Sequence, residues 1–135
     1  MKLLRNKDNI PEVWYKLQEK IEDLRKKYNI HSGDWLDDLW IEIDKNPKVR
    51  NLPNDIIQIG GIGVQGMLDF YYSPSQKIYY SECDSATPQK ITLPNLWRQI
   101  ILCLDDDINR GEGPDSYIKF QKEIKSLVQR LVVRY

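Results

Sequence analysis

Histidine and cysteine are scarce in this 135-residue chain, which has one histidine, His31, and two cysteines, Cys83 and Cys103. A Ser-His-Asp or Cys-His mechanism would have to be built on His31, and no G-x-S-x-G elbow accompanies it. Zinc needs more nitrogen and sulfur ligands than these residues supply. Two cysteines also make no disulfide framework. Cys103 lies in the apolar run Ile100-Ile101-Leu102-Cys103-Leu104 and reads as a small buried hydrophobe. Cys83 sits between Glu82 and Asp84, whose charges make it a poor nucleophile. Net charge is missing as well: Lys and Arg balance Asp and Glu, for a formal total of zero. That removes any global electrostatic case for nucleic acid or an anionic membrane. No apolar run approaches membrane-spanning length. Met1-Lys2-Leu3-Leu4 runs straight into Arg5-Asn6-Lys7-Asp8, which does not read as a signal peptide. The expectation is a cytoplasmic protein with no cofactor, no metal and no internal repeat.

What is present is a globular composition, 41% hydrophobic and 30% charged. The length suits one domain. The charge is unevenly placed: residues 1–30 carry +3, residues 31–50 carry −2, residues 51–115 carry −5 and residues 116–135 carry +4. An acidic middle therefore lies between two basic ends. Lys-rich solvated helix faces account for the ends, and the middle is a candidate surface for a basic partner.

Hydrophobic spacing predicts four helices. The first spans about Pro11 to Asn29, with Val13, Trp14, Leu17, Ile21, Leu24 and Tyr28 on one face. The second is expected from about Gly33 to Lys45, capped by Ser32, with Trp35, Leu36, Leu39, Trp40 and Ile43 as its stripe and Asp34, Asp37 and Asp38 in its first turns. A third opens at Pro94 and ends before Gly111. The fourth runs from Asp115 towards the C-terminus. Between the pairs lie strands: Ile56 to Ile59, Val64 to Tyr72, then a Ser73-Pro74-Ser75-Gln76 turn into Lys77 to Glu82, and a short one at Gln89 to Thr92. The predicted fold is one α+β domain, an antiparallel sheet of three to four strands packed with about four helices, two N-terminal and two C-terminal.

Three features bear on function. Gly61-Ile62-Gly63-Val64-Gln65-Gly66 fits G-x-G-x-x-G, but a dinucleotide loop needs a helix immediately after it. Met67-Leu68-Asp69-Phe70-Tyr71-Tyr72 follows instead, dense in strand formers. A glycine-rich turn between strands, needing positive φ or close backbone approach, fits better. Asp105-Asp106-Asp107 puts three carboxylates at the end of a helix, where the dipole disfavours them. A solvated helix end neutralised from the final helix explains them. A patch for a basic partner or a hard-cation site are the sharper alternatives, although consecutive helical residues point about 100° apart. Lastly, side chains alternate across a hairpin. One of each pair, Tyr71/Tyr72 and Tyr79/Tyr80, should therefore face away from the helices. Exposed tyrosine beside Asp69, Glu82 and Asp84 is the composition of a protein-binding surface.

The double glycine, the hairpin Leu68-Asp69-Phe70-Tyr71-Tyr72-Ser73-Pro74…Ile78-Tyr79-Tyr80-Ser81-Glu82 and the helix opening at Leu93-Pro94-Asn95-Leu96-Trp97 resemble the SUKH-type bacterial immunity proteins over residues 52–108. That family places a helix between its proline motif and its double glycine. Leu52-Pro53 and Gly60-Gly61 leave no room for one. The resemblance implies an α+β sheet protein that binds and blocks a toxin enzyme, often a nuclease. The residues themselves offer no catalytic constellation, and the acidic middle suits a basic toxin or nuclease domain. The partner-binding residues expected from the acidic, tyrosine-bearing middle are Asp69, Tyr71, Tyr80, Glu82, Asp84, Asp105, Asp106 and Asp107. The alternatives are a regulatory or structural subunit that homodimerises through its aromatic sheet face, and a small metal-dependent hydrolase using the clustered carboxylates.

Overall fold

The computed structural model describes residues 9–31, 39–63, 67–83, 87–111 and 113–134. The first helix, α1, is Glu12–Tyr28, with Pro11 at its N-cap. Arg25, Lys26 and Lys27 fill its last turn, where cations favour the helix dipole. Asn29 adopts a left-handed φ of 51° and ends it, donating its N–H back to Lys26 while Ile30 donates to Arg25. Five strands follow: β1 (Leu39–Asp44), β2 (Ile57–Ile62), β3 (Leu68–Ser73), β4 (Ile78–Cys83) and β5 (Gln89–Ile91). They form one antiparallel sheet in chain order, each strand paired with its neighbours in sequence. Helices α2 (Leu93–Arg110) and α3 (Asp115–Arg134) complete the chain. The Thr92 hydroxyl caps α2 by accepting from the Asn95 N–H, and Gly111 at φ 63° closes it.

The fold class is α+β, but the strand and helix counts differ from expectation. The described residues contain five strands and three helices, not three to four strands and four helices. The expected second helix accounts for the difference. Its C-terminal half, Leu39–Asp44, is β1, and residues 33–38 lie outside the described part. Leu39 and Ile41 are buried on one face while Trp40 and Glu42 point to the other. That is the period of a strand, and the β-branched Ile41 and Ile43 suit it. The glycines also differ from expectation. Gly60 and Gly61 are inside β2 rather than in a turn, while Gly63 just beyond has a φ of 77°.

The helices cover one face of the sheet. Leu39, Ile41, Ile59, Ile62, Leu68, Phe70, Tyr72 and Tyr79 meet Val13, Trp14, Leu17 and Ile21 of α1, Leu96, Trp97 and Ile100 of α2, and Tyr117, Phe120 and Ile124 of α3 in one core. Trp14 is its hub: its ring lies 5.4 Å from Phe70, 4.9 Å from Trp97 and 5.9 Å from Tyr79, centroid to centroid. Its indole N–H donates to the Tyr79 hydroxyl at 2.9 Å, which satisfies two polar groups that burial would otherwise strand. Burial pushes the Tyr79 phenol up to about 12.

Helix α1 also closes the β1 edge of the sheet. The Gln18 amide donates to the Ile41 carbonyl at 2.9 Å and Arg25 donates to the Leu39 carbonyl at 3.1 Å. Both side chains are buried. β1 has a partner on one side only, so these bonds occupy carbonyls that an incoming strand would use.

Candidate functional site

The face of the sheet opposite the helices carries the acidic features. Cross-strand register sets Trp40 beside Gly61, Gly61 beside Asp69, and Asp69 beside Glu82. The next row holds Asp44, Gln58, Tyr71, Tyr80 and Lys90. Alternation along β3 and β4 sends Phe70, Tyr72 and Tyr79 inward, so Asp69, Tyr71, Tyr80 and Glu82 share the outer face.

Gly61 lets this row close up. A Cβ there would stand 2.7 Å from the Leu68 carbonyl oxygen, 2.8 Å from Asp69 Oδ1 and 2.9 Å from Trp40 Cζ2. The indole and the carboxylate therefore converge over a bare backbone. Trp40 is fixed by its own N–H, which donates to the Gly63 carbonyl at 3.2 Å.

Asp69 and Glu82 are both half-buried and stand directly across the β3–β4 ladder. Like charges in that relation repel. Desolvation, and then the Glu82 charge, raise the Asp69 carboxyl above its ordinary range, although the Gln58 amide donating to Oδ1 at 3.1 Å works the other way. The Tyr71 hydroxyl reaches Glu82 at 3.4 Å. Burial, with the charges of Asp69 and Glu82, raises the Tyr71 phenol far above its ordinary value, so it stays protonated as a donor. No Lys or Arg forms an ion pair with Asp69 or Glu82 among the described residues. Beside the pair, a groove of about 420 Å³ is lined by Trp40, Glu42, Ile43, Asp44, Lys45 and Gln58.

The tyrosines depart from expectation. Tyr71 and Tyr80 do face away from the helices, but neither is exposed: they retain 3% and 6% of their accessible surface. The connector at residues 45–56 crosses this face, and Val49, Leu52 and Ile56 pack on Tyr71, Tyr80 and Ile78 as a second, smaller apolar cluster. The aromatic sheet face expected to mediate a homodimer is thus covered by the chain itself. Asp84 lies outside the described residues.

Asp105, Asp106 and Asp107 sit on α2, on the helical side of the sheet, and do not converge with Asp69 and Glu82. Asp105 pairs with Lys125 of α3, the neutralisation expected from the final helix. Asp106 is exposed and lies 3.8 Å from Arg110. Asp107 is buried and ion-paired to Arg110. Among the described residues no group of three or more His, Cys, Asp or Glu could hold a metal ion. No described helix is long and apolar enough to cross a membrane.

Sequence reasoning missed Trp40, which it placed on a helix stripe, and Gln58. The alternation Ile57-Gln58-Ile59 before the glycines was the available signal for Gln58. Compared with known proteins, the chain matches no family model, and neither a curated protein nor a solved structure shows significant similarity to it.

Proposed function

We propose that the chain is a non-catalytic binding protein whose outer sheet face, centred on Asp69 and Glu82, docks a basic element of a protein partner. The observation that carries this reading is the carboxylate pair itself: two half-buried like charges directly opposed across a ladder, with no cation paired to either among the described residues. Such a pair costs the isolated fold stability. A Lys or Arg from outside would relieve it, and Trp40 beside the pair offers a ring face for a guanidinium. Glu42 and Asp44 extend the negative field along β1, which speeds encounter with a basic surface.

The resemblance of residues 52–108 to SUKH-type immunity proteins belongs to the same reading. The partner is then a basic toxin or nuclease domain, and the acidic face competes with its anionic substrate. The test is an NMR titration of the ¹⁵N-labelled chain with a hexa-arginine peptide. Shifts confined to Trp40, Gln58, Asp69 and Glu82, weakened by salt and lost in the Asp69→Asn/Glu82→Gln double variant, support the proposal. Shifts centred on Asp105 and Asp106, or unchanged in the double variant, overturn it.

A further inference from the structure

We propose that residues 45–56 form a displaceable strap, latched by Asp55, and that lifting it adds Tyr71 and Tyr80 to the binding face beside Asp69 and Glu82. β1 and β2 are adjacent and antiparallel, a relation that about two to five residues suffice to join. The connector is far longer and lies back across the sheet. Its attachments are few. Ile56 is buried, but Val49 and Leu52 are only half-buried on the tyrosines. Its internal backbone bonds are short-range, Val49 N–H to the Pro47 carbonyl and Ile56 N–H to the Pro53 carbonyl. Pro47 and Pro53 have no N–H with which to anchor it. Asn51 takes a left-handed φ of 63° between them.

One carboxylate ties the strap to the β3–β4 turn. Asp55 Oδ1 accepts from the Ser73 hydroxyl at 2.9 Å, and Oδ2 accepts from the Ser75 N–H at 2.7 Å. Besides the Asp55 latch, the segment is held chiefly by three aliphatic side chains and by the Asn46 N–H donating to Asp44 Oδ1 at its own start. Such a segment opens at lower cost than the strands beneath it. Under it lie two phenols, one already bonded to Glu82. Tyrosine is among the residue types that carry interaction hot spots. In the free chain Val49, Leu52 and Ile56 occupy that spot. In a complex the partner's apolar side chains replace them, while its cation meets Asp69 and Glu82.

The proposal builds on the binding face proposed above, but the two fail separately, because strap opening is read in the chain alone. Tetranitromethane nitration, mapped by mass spectrometry at increasing urea below the unfolding transition, reports phenol exposure. Tyr71 and Tyr80 should react at a rate independent of urea, while Tyr72 and Tyr79 in the main core stay protected. Asp55→Ala should raise the Tyr71 and Tyr80 rates by about tenfold, the worth of a hydrogen bond to a charged acceptor. Nitration of all four tyrosines at one common rate that climbs with urea would overturn the proposal. So would an Asp55→Ala variant whose Tyr71 and Tyr80 rates match the unmodified chain. Should Asp55→Ala lower global stability, the urea dependence in the unmodified chain still decides.

Discussion

Replacing Gly61 with alanine tests the packing on which the candidate site rests. The new methyl would meet the Leu68 carbonyl oxygen at 2.7 Å, Asp69 Oδ1 at 2.8 Å and Trp40 Cζ2 at 2.9 Å. Comfortable contacts for carbon lie near 3.5–4.0 Å, so each neighbour must retreat by roughly half an ångström or more. The Asp69 carboxylate and the rim of the indole can swing. The Leu68 oxygen cannot move freely, because Leu68 pairs with Ile62 in the β2–β3 ladder. Over-packing of this kind costs about 1–3 kcal/mol, and the backbone contact puts Gly61→Ala at the upper end. Alanine also restricts the unfolded chain, which returns about 0.4–1 kcal/mol. The net loss is about 2 kcal/mol. With a urea slope of about 2 kcal/mol/M, the unfolding midpoint should fall by about 1 M, followed by tryptophan fluorescence. Gly111→Ala isolates backbone strain: nothing lies within 4 Å of its would-be Cβ and only its φ of 63° is strained, a cost of about 1–2 kcal/mol. The same unfolded-state return of about 0.4–1 kcal/mol lowers that cost, so its midpoint should fall by about half as much as that of Gly61→Ala. A Gly61→Ala midpoint within about 0.2 M of the parent, about a fifth of the shift expected from the urea slope, would refute the close approach of Trp40 and Asp69 over β2.

Two further outcomes follow from the electrostatics and the sheet edge. The folded Asp69 carboxyl is raised above its 3.8 reference, so the folded state holds that proton more tightly, and stability declines as pH rises from 3.8 through the folded value. Asp69→Asn should therefore unfold at higher urea than the parent at pH 7, with the advantage shrinking as pH falls through the folded value and vanishing well below the 3.8 reference, where Asp69 is protonated in both the folded and the unfolded state; a pH-independent advantage would contradict the assignment. Arg25→Met keeps the apolar stem but leaves the Leu39 carbonyl without its donor, at a cost of about 1–3 kcal/mol, and combined with Gln18→Leu it should open the β1 edge to self-association in sedimentation velocity. A double variant that stays monomeric and fully stable would show that these bonds do not guard the edge.

The strands and helices that kept one clear period were legible in the sequence. Trp14, Leu17 and Ile21 mark a helix face under any reading, and the aromatic hairpin around Ser73-Pro74 allows only one turn. Residues 39–44 were not, because Leu39, Trp40 and Ile43 satisfy helical spacing while Leu39, Ile41 and Ile43 satisfy strand spacing. The sheet, supplying β2 as a partner, decided between them. The double glycine looked like a turn because glycine is common there, whereas the need for it comes from β1 and Asp69 across space. That Tyr71 and Tyr80 face away from the helices followed from alternation. Their burial did not, since nothing in Pro47 or Pro53 says which way a connector folds. The pairing of Asp105 with Lys125 was the least exotic expectation for that acidic run, and it needed only two neighbouring helices.

The contact between α1 and α3 joins parts of the chain far apart in synthesis: the Lys27–Glu123 ion pair spans 96 positions. The sheet between them is the opposite case, with every strand beside the one made just before it. Hairpins of that kind zip up locally as they emerge. Helix α1 is made before the strands and helices that cover its apolar side, so that side stays uncovered until the sheet, α2 and α3 have followed it. The chain is therefore exposed to misassociation through the apolar stripe of α1, and a chaperone acting on it during translation would find its binding stripe there.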